Sequence, residues 1–270
     1  MTPGGTRDRR IAAGSMTAVV DLQRALDLER FPRSSRYDAD WVLDNEMGPN
    51  VLWLTEALCE VMDLRPGMRV LDLGCGSAMS SVFLAREFDL QVWATDLWIP
   101  AAENAGRIRD AGLADRVFPI HAEARNLPYP DRFFDAVVSM DAYHYFGTDV
   151  HYLEFHLLKL VKAGGQVGIL SPAAMQQGPL PDYLPASEWY WMNPVEWWRR
   201  HWERYPEIEV EVSEPLEGGW ELWARWLEAL EASGRARRPE ENTRELAQLR
   251  EDGGRYLGFV RQVGRKRTAS

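Results

Sequence analysis

Residues 70–78 read Val-Leu-Asp-Leu-Gly-Cys-Gly-Ser-Ala, an apolar run closing on an acid and then a glycine-rich turn. Gly74 and Gly76 have no Cβ, so the backbone there can take positive φ and let a ligand lie against it. A helix starting near Ala78 would aim unpaired N–H groups and its positive dipole end at that ligand. Asp72, at the end of the apolar run, can accept hydrogen bonds from a ligand's cationic group. A second acid, Asp96, closes the next apolar run. An ionised carboxylate in that position can hold both hydroxyls of a ribose. The same side chain can equally cap a helix beginning near Ile99.

Several other chemistries find no support. A dinucleotide fingerprint wants glycine or alanine at position 79, where the chain has Met79, and no G-x-x-x-x-G-K-[ST] phosphate loop occurs. Two cysteines, Cys59 and Cys75, cannot build a disulfide framework or a cysteine zinc site. The five histidines lack ligand spacing, so no metal is expected. A net charge of −10 disfavours a grip on nucleic acid. The basic clusters at Arg7–Arg10, Arg235–Arg238 and Arg265–Arg267 read as solvated surface. The apolar runs are too short to span a bilayer, and no segment has the layout of a secretory signal. The expectation is a cytoplasmic protein without stable membrane insertion.

The elements that must position these residues follow from periodicity. Strands are predicted over 69–73, 91–95, 116–120, 134–140 and 165–170, with helices over 78–87, 99–111 and 149–162 between them. Such alternation implies crossover helices on a parallel sheet with ligand sites at the carboxyl ends of its strands. Upstream, helices are predicted over 17–30, ended by Pro32, and 49–63, opened by Pro49, after a polar leader of fifteen residues expected to be disordered. Met16 follows that leader and is a second candidate start. Downstream come a Pro/Gly-rich connection over 172–185, a Trp-rich helix over 188–204 with a break at Pro194, and a strand over 207–212. Helices near 218–232 and 239–250 and a last strand over 255–263 complete the chain. The expected organisation is a tail and flanking helix (1–48), a binding core (49–171) and a C-terminal part of the same domain (172–270).

Four segments in order, VLDLGCGSA (70–78), ATDLW (94–98), HAEARNLPYPDRFFDAVVS (121–139) and LVKAGGQVGI (160–169), resemble the class I S-adenosylmethionine-dependent methyltransferases. The similarity is greatest to the small-molecule branch near the ubiquinone and menaquinone methyltransferases. It implies a Rossmann-like α/β fold with a mostly parallel seven-stranded sheet, an antiparallel last strand and added helices. It implies an enzyme of the EC 2.1.1 class using S-adenosyl-L-methionine, releasing S-adenosyl-L-homocysteine and methylating O, N or C of a small organic acceptor. Carried over by position, Asp72, Gly74 and Gly76, with Cys75 in the same turn, would hold the methionine portion. Asp96 would take the ribose hydroxyls, with Leu97 flanking the adenine. Glu123 and Ala124 would meet the adenine edge, and Met140 would lie near the sulfonium. Ala78 stands where many relatives have a third glycine, and its small size predicts tolerance.

Beyond the fourth strand, Tyr143 and His144 are the catalytic candidates. A neutral imidazole can take a proton from an acceptor, or His144 can simply tie the loop. Tyr143 and Tyr145 would wall the pocket, or either would orient an acceptor oxygen. Tyr37 is placed over the cofactor, where its ring face would favour a cation. Eight of the 12 tryptophans fall between Trp189 and Trp226. They read either as a stripe fastening added helices to the sheet or as a lid over an apolar or aromatic acceptor. The insertion 213–254 would then close the pocket. Two rival functions stand beside methyl transfer: lipid modification of the cyclopropane-fatty-acid type, and a non-catalytic cofactor-binding module. The first is disfavoured because His144–Tyr145 stands where those enzymes carry a Glu–His pair.

Overall fold

The computed structural model describes residues 22–268. Residues 17–21 of the first expected helix, Arg7–Arg10 and Met16 lie outside them. Seven strands form one sheet in the order β3-β2-β1-β4-β5-β7-β6. They are β1 (Arg69–Leu73), β2 (Gln91–Asp96), β3 (Val117–His121), β4 (Phe134–Met140), β5 (Val161–Ala174), β6 (Ile208–Pro215) and β7 (Leu257–Lys266). Strands β1 to β5 are mutually parallel. Strand β7 runs antiparallel between β5 and β6. The chain builds outward from β1 to β3 on one side and then returns to β4 on the other. The carboxyl end of β1 is therefore a topological switch point, where a crevice opens.

Alternate residues of the central strands feed two cores, as the pleat requires. Val70, Val138 and Leu170 face one core; Leu71, Val137 and Ile169 face the other. The first face is covered by helices α1 (Ala39–Asp44), α2 (Val51–Cys59), α3 (Met79–Phe88) and α4 (Ala101–Asp110). After the short α5 (Ala186–Trp189) and α6 (Val195–Glu203), helices α7 (Gly219–Ser233) and α8 (Pro239–Asp252) add to that same face. The second face is covered by the 143–160 segment and α6. Among the described residues no helix is long and apolar enough to cross a membrane.

Several expected boundaries move for physical reasons. The first helix is described only over 22–26 and stops well before Pro32. The Ser35 hydroxyl takes over beyond it, accepting from the Leu28 amide at 2.9 Å and donating to the Phe31 carbonyl. Helix α2 begins at Val51 because the Asn50 side chain accepts from the Leu52 and Trp53 amides, leaving Pro49 outside. The crossover helix expected over 149–162 is instead a π-helical turn at Leu153–Leu157 running into a 3-10 turn at Leu158–Leu160. Its buried residues pair Tyr152 with Leu157 and Leu153 with Leu158, a spacing of five that suits a π turn better than an α-helix. Strand β5 runs past the predicted end to Ala174 and includes Pro172, which pairs with Phe259 of β7. Strand β4 ends opposite Leu170, so the proline has a neighbour on one side only.

Candidate functional site

Beyond β1 the backbone takes left-handed conformations at Gly74 (φ 75°), Gly76 (φ 52°) and Ala78 (φ 62°). A Cβ on Gly74 would stand 2.3 Å from that of Ala142, and one on Gly76 would stand 2.9 Å from Met47 Sδ. The two glycines thus let Ala142 of the β4 loop and Met47 pack directly against the turn backbone. Ala78 sits in the left-handed region on the side-chain-bearing side of that list, so φ rather than size is what its position tests.

The turn is held from several directions. The Gly74 and Cys75 amides donate to the Thr95 carbonyl at 2.8 and 3.2 Å. The Gly76 amide donates to Asp96 Oδ2 at 2.8 Å, and Asn104 Nδ2 donates to the Gly76 carbonyl at 2.9 Å. The Ser77 hydroxyl donates to the Asn45 carbonyl, which ties the turn to the 45–50 segment. Asp96 Oδ1 also accepts from the Trp98 and Ile99 amides at 2.7 and 2.9 Å. The turn-capping alternative for Asp96 is therefore present in the fold, alongside its place in the wall of the cavity.

A cavity of about 260 Å³ opens over this turn. Gly74, Cys75 and Gly76 form its floor; Asp96 and Leu97 come from the end of β2. Glu123 and Ala124 follow β3, and Met140 ends β4. These predicted residues, scattered over 67 positions of sequence, are brought together because each follows a parallel strand at the same edge of the sheet. Glu123 is engaged locally: it accepts from the Arg125 amide at 2.8 Å and pairs with that guanidinium at 3.2 Å. The Cys75 thiol is buried, which pushes its pKa well above the ordinary value. Among the described residues, no group of three or more His, Cys, Asp or Glu is arranged to hold a metal ion.

Four predicted site residues lie outside the cavity lining. Asp72 is fully buried, and its Oδ2 accepts from the Ser80 and Ser81 hydroxyls at 2.6 Å each, while Oδ1 has no partner. Burial raises its pKa to about 6, with the two serine hydrogen bonds pulling the other way. It braces α3 against β1 rather than facing the cavity. Tyr37 packs between Trp41 and Phe83 with the Arg86 guanidinium over its ring, so the expected cover over the cofactor is not made by this residue. The flanking segment contributes instead through Met47, Gly48 and Pro49.

Tyr143 and His144 also turn away. Tyr143 is fully buried among Phe146, Tyr152, Trp198 and Trp202. His144 is 9% exposed and stacks on Trp191 at 4.8 Å; burial lowers its pKa to about 4. The strand ends at Met140, and the 3-10 turn over Tyr143–Tyr145 rotates both rings into the interior. The lid expectation fails similarly, since none of the eight tryptophans from Trp189 to Trp226 lines the cavity. Trp198 and Trp202 fill the second core, Trp223 and Trp226 the first, and Trp191 lies ahead of the break at Pro194. The insertion braces the wall from behind: Trp226 Nε1 donates to the Gly48 carbonyl at 2.6 Å.

Trp98 and Asp141 line the cavity without having been singled out in the sequence, together with Tyr145, read there as a candidate pocket wall. Trp98 and Tyr145 are 63% and 59% exposed and meet edge-on at 5.1 Å, joining the β2 and β4 loops. Asp141 follows β4 with φ 49°, and a Cβ on Gly48 would stand 2.5 Å from its Oδ2. The available signal was an acid placed one residue past the fourth strand, beside a histidine that drew the attention.

Comparison with known proteins places this site in context. Residues 70–165 match the family described as "Methyltransferase domain". The chain is similar to 27-O-demethylrifamycin SV methyltransferase of Amycolatopsis mediterranei (strain S699), at 31% identity over 117 residues, covering 43% of each chain. It is similar to demethylmenaquinone methyltransferase of Mycobacterium sp. (strain KMS), at 35% identity over 34% of this chain and 36% of that one. The chain thus spans less than half the length of the curated relatives it matches. Among solved structures, a putative sarcosine dimethylglycine methyltransferase from Galdieria sulphuraria matches with TM-score 0.63 at 18% identity, over 92% of this chain and 98% of that one. The [4+2]-cyclase SpnF matches with TM-score 0.64 at 19% identity, over 84% and 85%. The fold is the Rossmann-like fold of the class I methyltransferases.

Proposed function

We propose that this chain is an S-adenosylmethionine-dependent methyltransferase that transfers the methyl group to O, N or C of a small organic acceptor and releases S-adenosylhomocysteine. The observation that carries the reading is the cavity over the Gly74–Gly76 turn, which lies at the carboxyl ends of the parallel strands and is walled by the Asp96 carboxylate. The family model over residues 70–165 and the curated relatives bear methyltransferase names, which supports the same reading.

In this reading Gly74, Cys75 and Gly76 receive the methionine portion, and Asp72 acts through α3 by keeping the turn in place. Asp96 accepts from the ribose hydroxyls while retaining the Gly76 amide. Leu97 flanks the adenine, Glu123 and Ala124 meet its edge, and Met140 lies near the sulfur. The bound compound supplies a methyl carbon already activated by positive sulfur, so the protein's main task is to hold the acceptor at attack distance. Two free, buried cysteines, Cys59 and Cys75, suit a reducing compartment, and we infer a cytoplasmic location on that ground.

Fold alone does not select the chemistry, since a [4+2]-cyclase has the same architecture. Calorimetric titration with S-adenosylmethionine and S-adenosylhomocysteine tests the reading directly. Binding of both is expected, and binding of neither would remove it. Release of S-adenosylhomocysteine across a panel of hydroxyl, amine and carbon acceptors then separates an enzyme from a non-catalytic module.

A further inference from the structure

Three charged groups besides Asp141 line the cavity, and each is already engaged. Asp96 accepts from the Gly76, Trp98 and Ile99 amides. Glu123 and Arg125 are paired with one another. Asp141 lines the same cavity, yet its carboxylate enters no hydrogen bond or ion pair among the described residues. Its backbone is not free: the amide donates to the Leu170 carbonyl at 2.8 Å, continuing the β4–β5 pairing for one residue past the strand. At φ 49° it occupies the left-handed region, which few residues other than glycine adopt and which turns its side chain off the strand direction. Room for the carboxylate depends on Gly48, since a Cβ there would stand only 2.5 Å from Oδ2. The Gly48 carbonyl is in turn fastened by Trp226 of α7.

We propose, building on the methyltransferase reading above, that the Asp141 carboxylate is the group that takes the acceptor's proton, and that the acceptor therefore presents an O–H or N–H. Met140, the neighbour of Asp141, lines the same wall, so the carboxylate stands at the end of the cavity where the methyl group is transferred. The acceptor's lone pair forms the new bond to the methyl carbon. The carbon–sulfur bond breaks with its electron pair left on sulfur. The acceptor's proton moves to an Asp141 oxygen and passes to water once the product leaves. A cationic sulfonium and an anionic carboxylate become a neutral thioether and a neutral acid, so charge balances.

The surroundings tune the group for this work. Burial, with the Glu245 carboxylate of α8 acting in the same direction, pushes the Asp141 pKa up to about 8 against the opposing pull of Arg238 at the start of α8. Tyr145, on the same loop, is itself raised and stays neutral in this range. Gly48 and Leu170, facing it from the other elements, carry no charge. A base whose pKa lies near the working pH is effective in both directions of proton transfer. His144, the base expected from sequence, has neither the access nor the basicity.

The test uses two probes that differ at the transferred position: S-adenosylhomocysteine, with a neutral thioether, and sinefungin, with an amine. In the full-length protein, the preference for sinefungin should rise about tenfold between pH 6 and 8.5 as Asp141 ionises. Asp141→Asn should abolish that rise while still binding S-adenosylhomocysteine. Glu245→Gln, which removes a like charge without touching the ligand, should shift the midpoint of the rise to lower pH. A rise that persists in Asp141→Asn, or a midpoint unmoved by Glu245→Gln, overturns the proposal. Failure of both probes to bind the wild-type protein overturns the methyltransferase reading itself, whereas binding of S-adenosylhomocysteine without sinefungin at any pH overturns only the Asp141 proposal.

Discussion

Asp96 illustrates how one carboxylate serves two ends. Its oxygens accept from three backbone amides, which fixes the glycine turn to the β2 loop, yet a carboxylate has lone pairs to spare for a ribose. Asp96→Ala should therefore weaken S-adenosylhomocysteine binding by about 1–3 kcal/mol, since the hydroxyls and the Gly76 amide both lose a partner. Calorimetry reads this directly, and an unchanged affinity would dismiss the ribose assignment. Asp72 shows the converse. Its type and position announce a ligand contact, but two serines on the first turns of α3 capture it inside the fold. Serines at 80 and 81 are unremarkable in a helix pattern, so only their placement over Asp72 reveals the role.

At the scale of elements, the insertion between β6 and β7 matters through its back-support of the cavity wall. Helix α7 fastens Gly48 through Trp226, while Arg235 pairs with Asp40 and Asp44, and Arg237 with Glu46. The Arg235 pairs, open to solvent, contribute little individually; the hydrogen bond of the buried Trp226 indole contributes more. Trp226→Phe keeps the ring and removes the donor. It should increase amide exchange over residues 45–50 and weaken S-adenosylhomocysteine binding, with a loss of about 1–3 kcal/mol in stability. Exchange unchanged at 45–50 would mean that the wall stands without α7. Helix α6 makes a contrasting case. Trp198 and Trp202 bury completely against β6 and the 143–160 segment. Trp202→Leu should lower stability by about 3 kcal/mol, as a large-to-small core change does, with S-adenosylhomocysteine affinity at native temperature preserved. Urea unfolding and calorimetry measure the two halves of that expectation, and a selective loss of affinity would restore the lid.

For the molecule as a whole, buried titratable groups shape stability on both sides of neutrality. His144 falls from an ordinary value of 6.5 to about 4, so between those limits the unfolded chain binds a proton that the folded one refuses. Its contribution is intact above pH 6.5 and is lost as pH falls to 4. Asp72 and Asp141, raised from 3.8 to about 6 and about 8, act in the opposite sense. The folded chain holds protons that the unfolded one has shed, so their contribution is present below pH 3.8 and disappears as pH rises through 6 and 8. His144→Gln should flatten the acid limb by about 2–3 kcal/mol between pH 6.5 and 4, measured by urea unfolding across that range. An acid limb of unchanged slope would mean that His144 titrates normally.

Periodicity and motif were sufficient for the sheet, because strand alternation and the glycine turn are local properties that a short window of residues expresses. Gly74 to Gly76, Asp96, Leu97, Glu123, Ala124 and Met140 converge since each closes a parallel strand or the turn after it, and parallel strands end on one edge. What the linear order could not convey was the direction of side chains in irregular backbone. A 3-10 turn swings Tyr143 and His144 inward, a left-handed residue leaves Asp141 on the cavity, and Gly48, ninety-three positions earlier, makes room for it. Those outcomes depend on contacts between segments far apart in the chain, so they exist only once the tertiary structure has brought the segments together.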